Sequence, residues 1–470
     1  MNGGDTMRDR PLVALLPLYL ELYDRALPDL LARQRAFLER AASFVEGQGA
    51  QVLALPVCRT LAQTSAAMAE AEKQGAAGIV TLHLAYSPSL ESAPALMKSA
   101  LPILLLDVTP SPRFGTEATV NDVLENHGIH GVQDLASVLR RHGRRYTVAA
   151  GALDSERIAD MMAAWLRATQ ARQALRQMKV ALIGEAFRGM GDFAVSAEFL
   201  KQSAGPEVVN IDVKQIGARC TQVMEAEIEE EREADWAAFD LGDCSSECLD
   251  RANRVGLALR RALEEAGASA FSMNFGAFDR ALGTAAVPFL EASKAMARGI
   301  GYAGEGDVLT ASLVAALSAG YGATTFTEMF CPDWEGGRVF MSHMGECNPA
   351  LAKGRPKLIE KDYAFGLADN PAVLVFPLRP GPAALVNLAP RGDTLALIAA
   401  DVEIDDTGLA PALSQSPHFW IVPPGGEVAR FLESYSKAGG THHLALTPGL
   451  RAADLELLAG VMGWEFARLS

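Results

Sequence analysis

Gly78-Ile79-Val80-Thr81-Leu82-His83-Leu84 reads as a nearly unbroken apolar run of strand length, and residues 101–108 repeat the pattern. A strand with one face in water would alternate apolar and polar side chains. These runs do not, so both faces are covered, as in a parallel sheet held between layers of helices. Helical spacing fills the intervals. Residues 30–47 carry Leu30, Phe37, Ala41 and Phe44 and stop at Gly47, and residues 61–75 are Ala-rich. With strand-like runs at 12–18 and 51–57, the first third is a doubly wound α/β pattern.

A second cycle follows a helical, Arg-rich stretch at 155–177. Strands are expected at 179–184, 208–213 and 268–274, and helices at 225–236, 246–267 and 288–298. The helix at 225–236 is acidic and reads as exposed. The last third changes character. Short strands at 372–376, 383–388, 394–402 and 418–422 are separated by the turn clusters Pro380-Gly381 and Pro423-Pro424-Gly425-Gly426. A helix is expected at 427–437. The expected fold is therefore α/β: two doubly wound α/β domains (1–177 and 178–325), then a C-terminal antiparallel β-barrel-like domain (326–470).

Composition narrows the function. The 470 residues carry 42 Lys plus Arg against 57 Asp plus Glu, a net charge of −15. A nucleic-acid partner needs a basic footprint to replace phosphate counterions, and no Lys/Arg-rich run supplies one. Apolar residues at 49% are enough for a packed core, which excludes a disordered chain. No segment reaches the roughly 18 uninterrupted apolar residues of a membrane span. The opening ten residues are polar, without the apolar core of a signal peptide, and Met7 is an alternative start. Of six cysteines only Cys244 and Cys248 lie close, too few for a zinc site. Free thiols in a reducing cytoplasm are expected.

Several motifs could carry chemistry. Gly184-Glu185-Ala186-Phe187-Arg188-Gly189-Met190-Gly191 follows a strand but has neither the dinucleotide nor the P-loop spacing. Glu185 would repel a phosphate, so the motif reads as a tight turn. The adjacent His442-His443 should point to opposite faces of an extended segment, one into a pocket and one supporting it or facing away. Glu305 lies in a Gly-flanked turn before a helix at 308–318, Glu328 where a strand would end, and His343 at the close of a β segment. Carboxylates in apolar surroundings are costly unless paired or bound to metal. Mixed carboxylate and imidazole ligands suit Mn²⁺, Co²⁺ or Fe²⁺, and also Mg²⁺. The long spacings alone do not separate such a site from solvated glutamates and a core histidine.

The wording of the segments resembles one family. Gly301-Tyr302-Ala303-Gly304-Glu305-Gly306-Asp307 is similar to the central signature of bacterial L-arabinose isomerases. Thr325-Phe326-Thr327-Glu328, Ser342-His343-Met344-Gly345-Glu346-Cys347-Asn348-Pro349 and Gly439-Gly440-Thr441-His442-His443 follow in that family's order. The resemblance implies a metal-dependent aldose–ketose isomerase working through a cis-enediol. It implies Mn²⁺, or Co²⁺ or Mg²⁺, on Glu305, Glu328, His343 and His443. It implies acid–base work by Glu305 and Glu328, with His442 helping a hydroxyl proton. Tyr86, His130, Phe275, Phe326 and Phe365 are the sugar-contacting residues it suggests. It also implies a homo-oligomer, a trimer-based hexamer or a tetramer, whose sites are completed at subunit interfaces, His130 reaching a neighbour.

Departures from the family fall on the sugar-facing walls. Leu16-Pro17-Leu18-Tyr19-Leu20-Glu21-Leu22-Tyr23 lacks the family's Gln and His, and Tyr86 stands in place of a Phe. The expected substrate is thus a pentose or related sugar, in a reaction of the L-arabinose to L-ribulose type. A metal-dependent epimerase or lyase, or a non-catalytic sugar-binding homologue, are the alternatives.

Overall fold

The computed structural model describes residues 10–470. The polar opening and the alternative start at Met7 lie outside the described residues. The chain divides into two compact units, Met1–Gln170 and Ala171–Ser470.

In the first unit, β1 (Leu12–Leu18), β2 (Gln51–Ala54), β3 (Gly78–His83), β4 (Ile103–Asp107) and β5 (Thr147–Ala150) form one sheet in the order β2-β1-β3-β4-β5. Every pairing is parallel. β3 is buried along its whole length, as its continuous apolar run requires. Gly78 opens β3 because Trp165 lies over it: a Cβ there would come within 2.6 Å of the indole. The helix Leu61–Lys73 starts on a capping box, Thr60 with Gln63, which satisfies otherwise orphaned N–H groups. Leu16, Ile79, Leu105, Met68 and Leu135 share one core between sheet and helices. Each such side chain, fully buried, contributes about 1.5–3 kcal/mol.

β3 ends on His83, only 3% exposed, whose Nδ1 lies 2.7 Å from Ser87 Oγ while Nε2 has no hydrogen-bond partner. Burial pushes this imidazole down to about 4. Between that value and the unfolded value of 6.5, the unfolded chain binds a proton that the folded chain refuses. Stability is therefore expected to fall as pH drops through this window, by up to about 3 kcal/mol. Urea midpoints at neutral pH and near pH 5 should shift more in the parent than in His83→Gln. Equal shifts would remove His83 as the cause.

The second unit begins with β6 (Lys179–Ile183), β7 (Glu207–Ile211), β8 (Asp240–Leu241), β9 (Ala270–Met273) and β10 (Gly301–Gly304). Four of these form a parallel sheet in the order β10-β9-β6-β7. The strand order reverses at β6, so the carboxyl ends of β6, β9 and β10 border a crevice of the kind where open α/β sheets bind ligands.

The acidic helix Glu225–Ala238 is not simply an exposed face. Its Asp235 is 2% exposed, with Lys294 Nζ at 2.7 Å and Asn253 Nδ2 at 2.9 Å. Glu231 meets Arg260 at 2.8 Å and also pairs with Lys294. Burial alone would raise Glu231; these cations hold it at about 2. Periodicity does not show that acidic residues on one helix will meet bases from two others.

The remaining strands are β11 (Thr325–Asp333), β12 (Arg338–Ser342), β13 (Lys357–Glu360), β14 (Ala372–Val375), β15 (Gly381–Arg391), β16 (Thr394–Ile404), β17 (His418–Val422), β18 (His443–Pro448) and β19 (Glu465–Leu469). Seven form one large sheet, ordered β15-β18-β11-β12-β17-β16-β19, with β15 also paired to β16. All its pairings are antiparallel except β16 with β19. The expected strand at 372–376 is present but belongs elsewhere. β14 pairs with β13, and β13 runs parallel to β8 in a separate three-stranded sheet. β14 is buried throughout, so it cannot serve as a half-exposed strand of the large sheet. Leu249 and Ala252 share a core cluster with Leu374, Leu385 and Ile421. No described helix is long and apolar enough to cross a membrane.

Candidate metal centre

Glu305 sits at the carboxyl end of β10. Its φ of 63° is the sole positive value among the described non-glycine residues. Such a backbone costs about 1–3 kcal/mol and persists only where its surroundings dictate it. Here Glu305 N–H donates to Met273 O at 2.9 Å, and Phe187 N–H donates to Glu305 O at 2.8 Å. Gly306 continues the turn at φ 85°, and a Cβ there would lie 2.5 Å from Ala186 Cα. Asp307 then caps the helix Val308–Tyr321, accepting from Thr310 N–H at 2.8 Å.

The large sheet supplies the opposite wall. Register pairs Glu328 on β11 with His443 on β18 and with Ser342 on β12. Directly opposed residues share a face. Glu328 Oε1 accordingly lies 2.9 Å from His443 Nε2, and 3.3 Å from Nε2 of His343, which follows β12. His443 Nε2 is also 3.4 Å from Glu305 Oε2, and His442 Nε2 is 3.9 Å from it. The two glutamates thus come together through histidines that are distant in sequence.

All three imidazoles are oriented the same way. His443 Nδ1 is 2.9 Å from Asp307 Oδ2, His343 Nδ1 is 2.8 Å from Glu346 Oε2, and His442 Nδ1 is 2.7 Å from Asp192 Oδ2. Each carboxylate claims the Nδ1 proton and leaves Nε2 facing the glutamates, an arrangement usual behind metal-binding histidines. Glu346 is further held by Gly345 N–H at 2.8 Å and by the Tyr302 hydroxyl.

The charges are mutually dependent. Burial alone would raise Glu305, but His442 and His443 hold it down at about 2. Glu328 is likewise driven well below the usual carboxylate range by His343 and His443, against burial. Burial works against charge on His343, yet Glu346 and Glu328 push it up to about 10. His443 is raised by Asp307, Glu305 and Glu328, again against burial.

These residues fit a divalent cation. One ligand atom from each of Glu305, Glu328, His442 and His443 lies within 4.8 Å of the others. Glu305 Oε2 and His443 Nε2 are buried and 3.4 Å apart with no well-aligned hydrogen bond to either, His443 Nε2 having only the 2.9 Å approach of Glu328 Oε1. Leaving buried polar atoms unmatched costs about 1–3 kcal/mol each, and a cation between them would satisfy both. Carboxylate oxygen with imidazole nitrogen suits Mn²⁺ and Co²⁺.

The residues expected from sequence fare differently. Glu305, Glu328 and His443 converge. His442 lies with them, and His343 meets the group at Glu328, its Nε2 3.3 Å from Glu328 Oε1. His442 and His443 do not point apart: β18 starts at His443, so strand alternation does not govern His442, and the ring centroids are 4.3 Å apart. Phe326 is 1% exposed and stands edge-on to His343 at 4.7 Å and His443 at 4.9 Å. Phe275 packs on Phe187 at 5.6 Å, beside the Glu305 turn. Phe365 is 60% exposed and its ring contact is Tyr363.

Tyr86 and His130 lie in the first unit. Burial, and then the nearby Asp134 carboxylate, push the Tyr86 hydroxyl up. His130 is exposed and stands edge-on to His127 at 5.8 Å, whose Nε2 is 3.0 Å from Tyr23 Oη. Sequence reasoning missed the supporting carboxylates. Asp307 and Glu346 lie in the same motifs as Glu305 and His343, but no local pattern marks them as supports, and none marks Asp192.

Comparison with known proteins agrees with the geometry. The family model described as L-arabinose isomerase central domain matches residues 179–320, and that described as L-arabinose isomerase C-terminal domain matches 323–465. An L-arabinose isomerase of Nocardioides sp. is 30% identical over 354 residues, 72% of this chain and 69% of that protein. One from Yersinia pestis is 28% identical over 73% of this chain and 70% of its own length. One from Yersinia pseudotuberculosis is 27% identical over 83% and 80%. A solute binding protein of an ABC transporter from Agrobacterium vitis, bound with alpha-D-tagatopyranose, is 12% identical over 67% of this chain and 90% of that chain. The TM-score of that match is 0.17. The chain belongs to the L-arabinose isomerase family.

Proposed function

We propose that this chain is a metal-dependent aldose–ketose isomerase acting on a pentose or related sugar through a cis-enediol. One observation carries the reading: Glu305, Glu328, His442 and His443 meet within 4.8 Å, with buried oxygen and nitrogen atoms left unmatched. Glu305, Glu328, His343 and His443 would hold the ion, Mn²⁺ or else Co²⁺ or Mg²⁺, and His442 stands beside them for proton work rather than as a ligand. When bound, the ion supplies a Lewis acid that offsets negative charge on the substrate oxygens.

The protein's own groups carry the protons. Isomerisation moves one proton between C1 and C2 and another between the two oxygens. Glu305 and Glu328 serve as the acid–base pair at carbon. His442, with Nε2 turned toward Glu305, serves the hydroxyl proton. Phe326 braces the ring planes of His343 and His443. Phe275 and Phe365 are proposed apolar contacts for the sugar, and Tyr86 and His130 contacts supplied by a neighbouring copy in a homo-oligomer, a trimer-based hexamer or tetramer. The double pairing of β15 supports reading the large sheet as barrel-like, in a three-domain chain divided near 177 and 325. A cytoplasmic location goes with this reading.

Purified protein with Mn²⁺, offered a panel of aldoses and ketoses and followed by ketose colour and NMR, should interconvert at least one pair with proton exchange at C2. Chelation should abolish turnover and Mn²⁺ should restore it. Cleavage products would make it a lyase, inversion without ketose an epimerase, and binding without turnover a non-catalytic homologue.

A further inference from the structure

The Gly-rich turn at 184–191 runs directly into Asp192 and Phe193, and the acid–base roles above use none of it. The structure gives it work. Phe187 N–H holds the carbonyl of Glu305 at 2.8 Å, and Ala186 packs where a Cβ of residue 306 would be. Phe193, 1% exposed, lies flat on His443, with centroids 4.6 Å apart and planes 10° apart. Asp192 Oδ2 accepts two bonds from a residue 250 positions away: His442 backbone N–H at 2.9 Å and its Nδ1 at 2.7 Å.

His442 needs such a hold. It precedes β18, so no ladder bond fixes it, and its side chain is 40% exposed. A neutral imidazole has two tautomers, and a half-exposed ring has several rotamers. A carboxylate can only accept, so at Nδ1 it places the proton there and turns Nε2 toward Glu305. The backbone bond to the same oxygen ties the ring to its own main chain.

We propose that Asp192 is a positioning residue for His442, setting the ring's tautomer and direction, and that the Gly-rich turn delivers it. The proposal rests on the reading of Glu305, Glu328 and His442 given above.

Asp192→Ala should lower kcat at least about tenfold, with KM and the Mn²⁺ affinity of chelator-stripped protein, measured by calorimetry, within about threefold of the parent. Asp192→Asn keeps an acceptor oxygen and should recover kcat to within about threefold. In a His442→Ala background, Asp192→Ala should remove less than about twofold more, because the group it positions is already gone. If Asp192→Ala loses its native unfolding midpoint, Asp192→Leu takes its place. An unchanged kcat, Mn²⁺ affinity falling in step with kcat, or additive losses in the double variant would each overturn the proposal. Glu305→Gln and Glu328→Gln run alongside: if they stay active, the site reading itself fails, whereas inactive glutamate variants beside an unaffected Asp192→Ala sink this inference alone.

Discussion

Glu305→Gln and Glu328→Gln are each expected to lower kcat for isomerisation by about a thousandfold or more, with the unfolding midpoint close to the parent's. Glutamine keeps the shape of glutamate but neither takes nor gives a proton at neutral pH. It also removes one of two negative charges that face His443 Nε2 within 3.4 Å. Both carboxylates are held ionised by neighbouring imidazoles, so both are ready to bind a cation. The fold should survive, since Glu305 is positioned by main-chain bonds that glutamine also makes. Sugar turnover and thermal melting of the same preparations decide the matter. Parent-like turnover in either variant would take that residue out of the chemistry.

Asp307→Ala should destabilise the second unit by about 3–5 kcal/mol, the range for removing one partner of a buried charged pair. Asp307 is fully buried and does two jobs: one oxygen caps the helix Val308–Tyr321, and the other holds His443 Nδ1. Loss of the cap alone costs about 1 kcal/mol. The remainder comes from an imidazole left buried without its acceptor. Metal affinity should fall about 10–100-fold, because His443 loses the group that presents Nε2. Asp307→Asn restores an acceptor for Thr310 N–H and should recover the cap but not the charge. Urea unfolding and Mn²⁺ titration of the two variants test this. A loss under about 1 kcal/mol in Asp307→Ala would mean that His443 is held by other contacts.

Much of the architecture was readable in the chain. β1 occupies residues 12–18 as the apolar run indicates, and β3 and β4 follow the runs at 78–84 and 101–108. The chain does not announce pairing. β14 has the apolar content of a strand in the large sheet, yet it pairs with β13, because partner choice depends on burial on both faces and on neighbours far along the chain. The site divides in the same way. Glu305, Glu328 and His443 stand in motifs whose resemblance to one family implies their roles. Asp192 does not: its partner lies 250 residues away and its surroundings show only a turn.

The amino-acid order alone determined the α/β layering and the late change to antiparallel strands, which follow from local periodicity; the grouping of Glu305, Glu328, His343 and His443 was implied by the resemblance of their motifs to one family, not by spacing. Only the tertiary structure decided that His442 faces the same centre as His443, and that three carboxylates, Asp192, Asp307 and Glu346, set the direction of the three imidazoles. The reason is physical: a hydrogen bond is directional and short in space, while periodicity records only what is near in sequence.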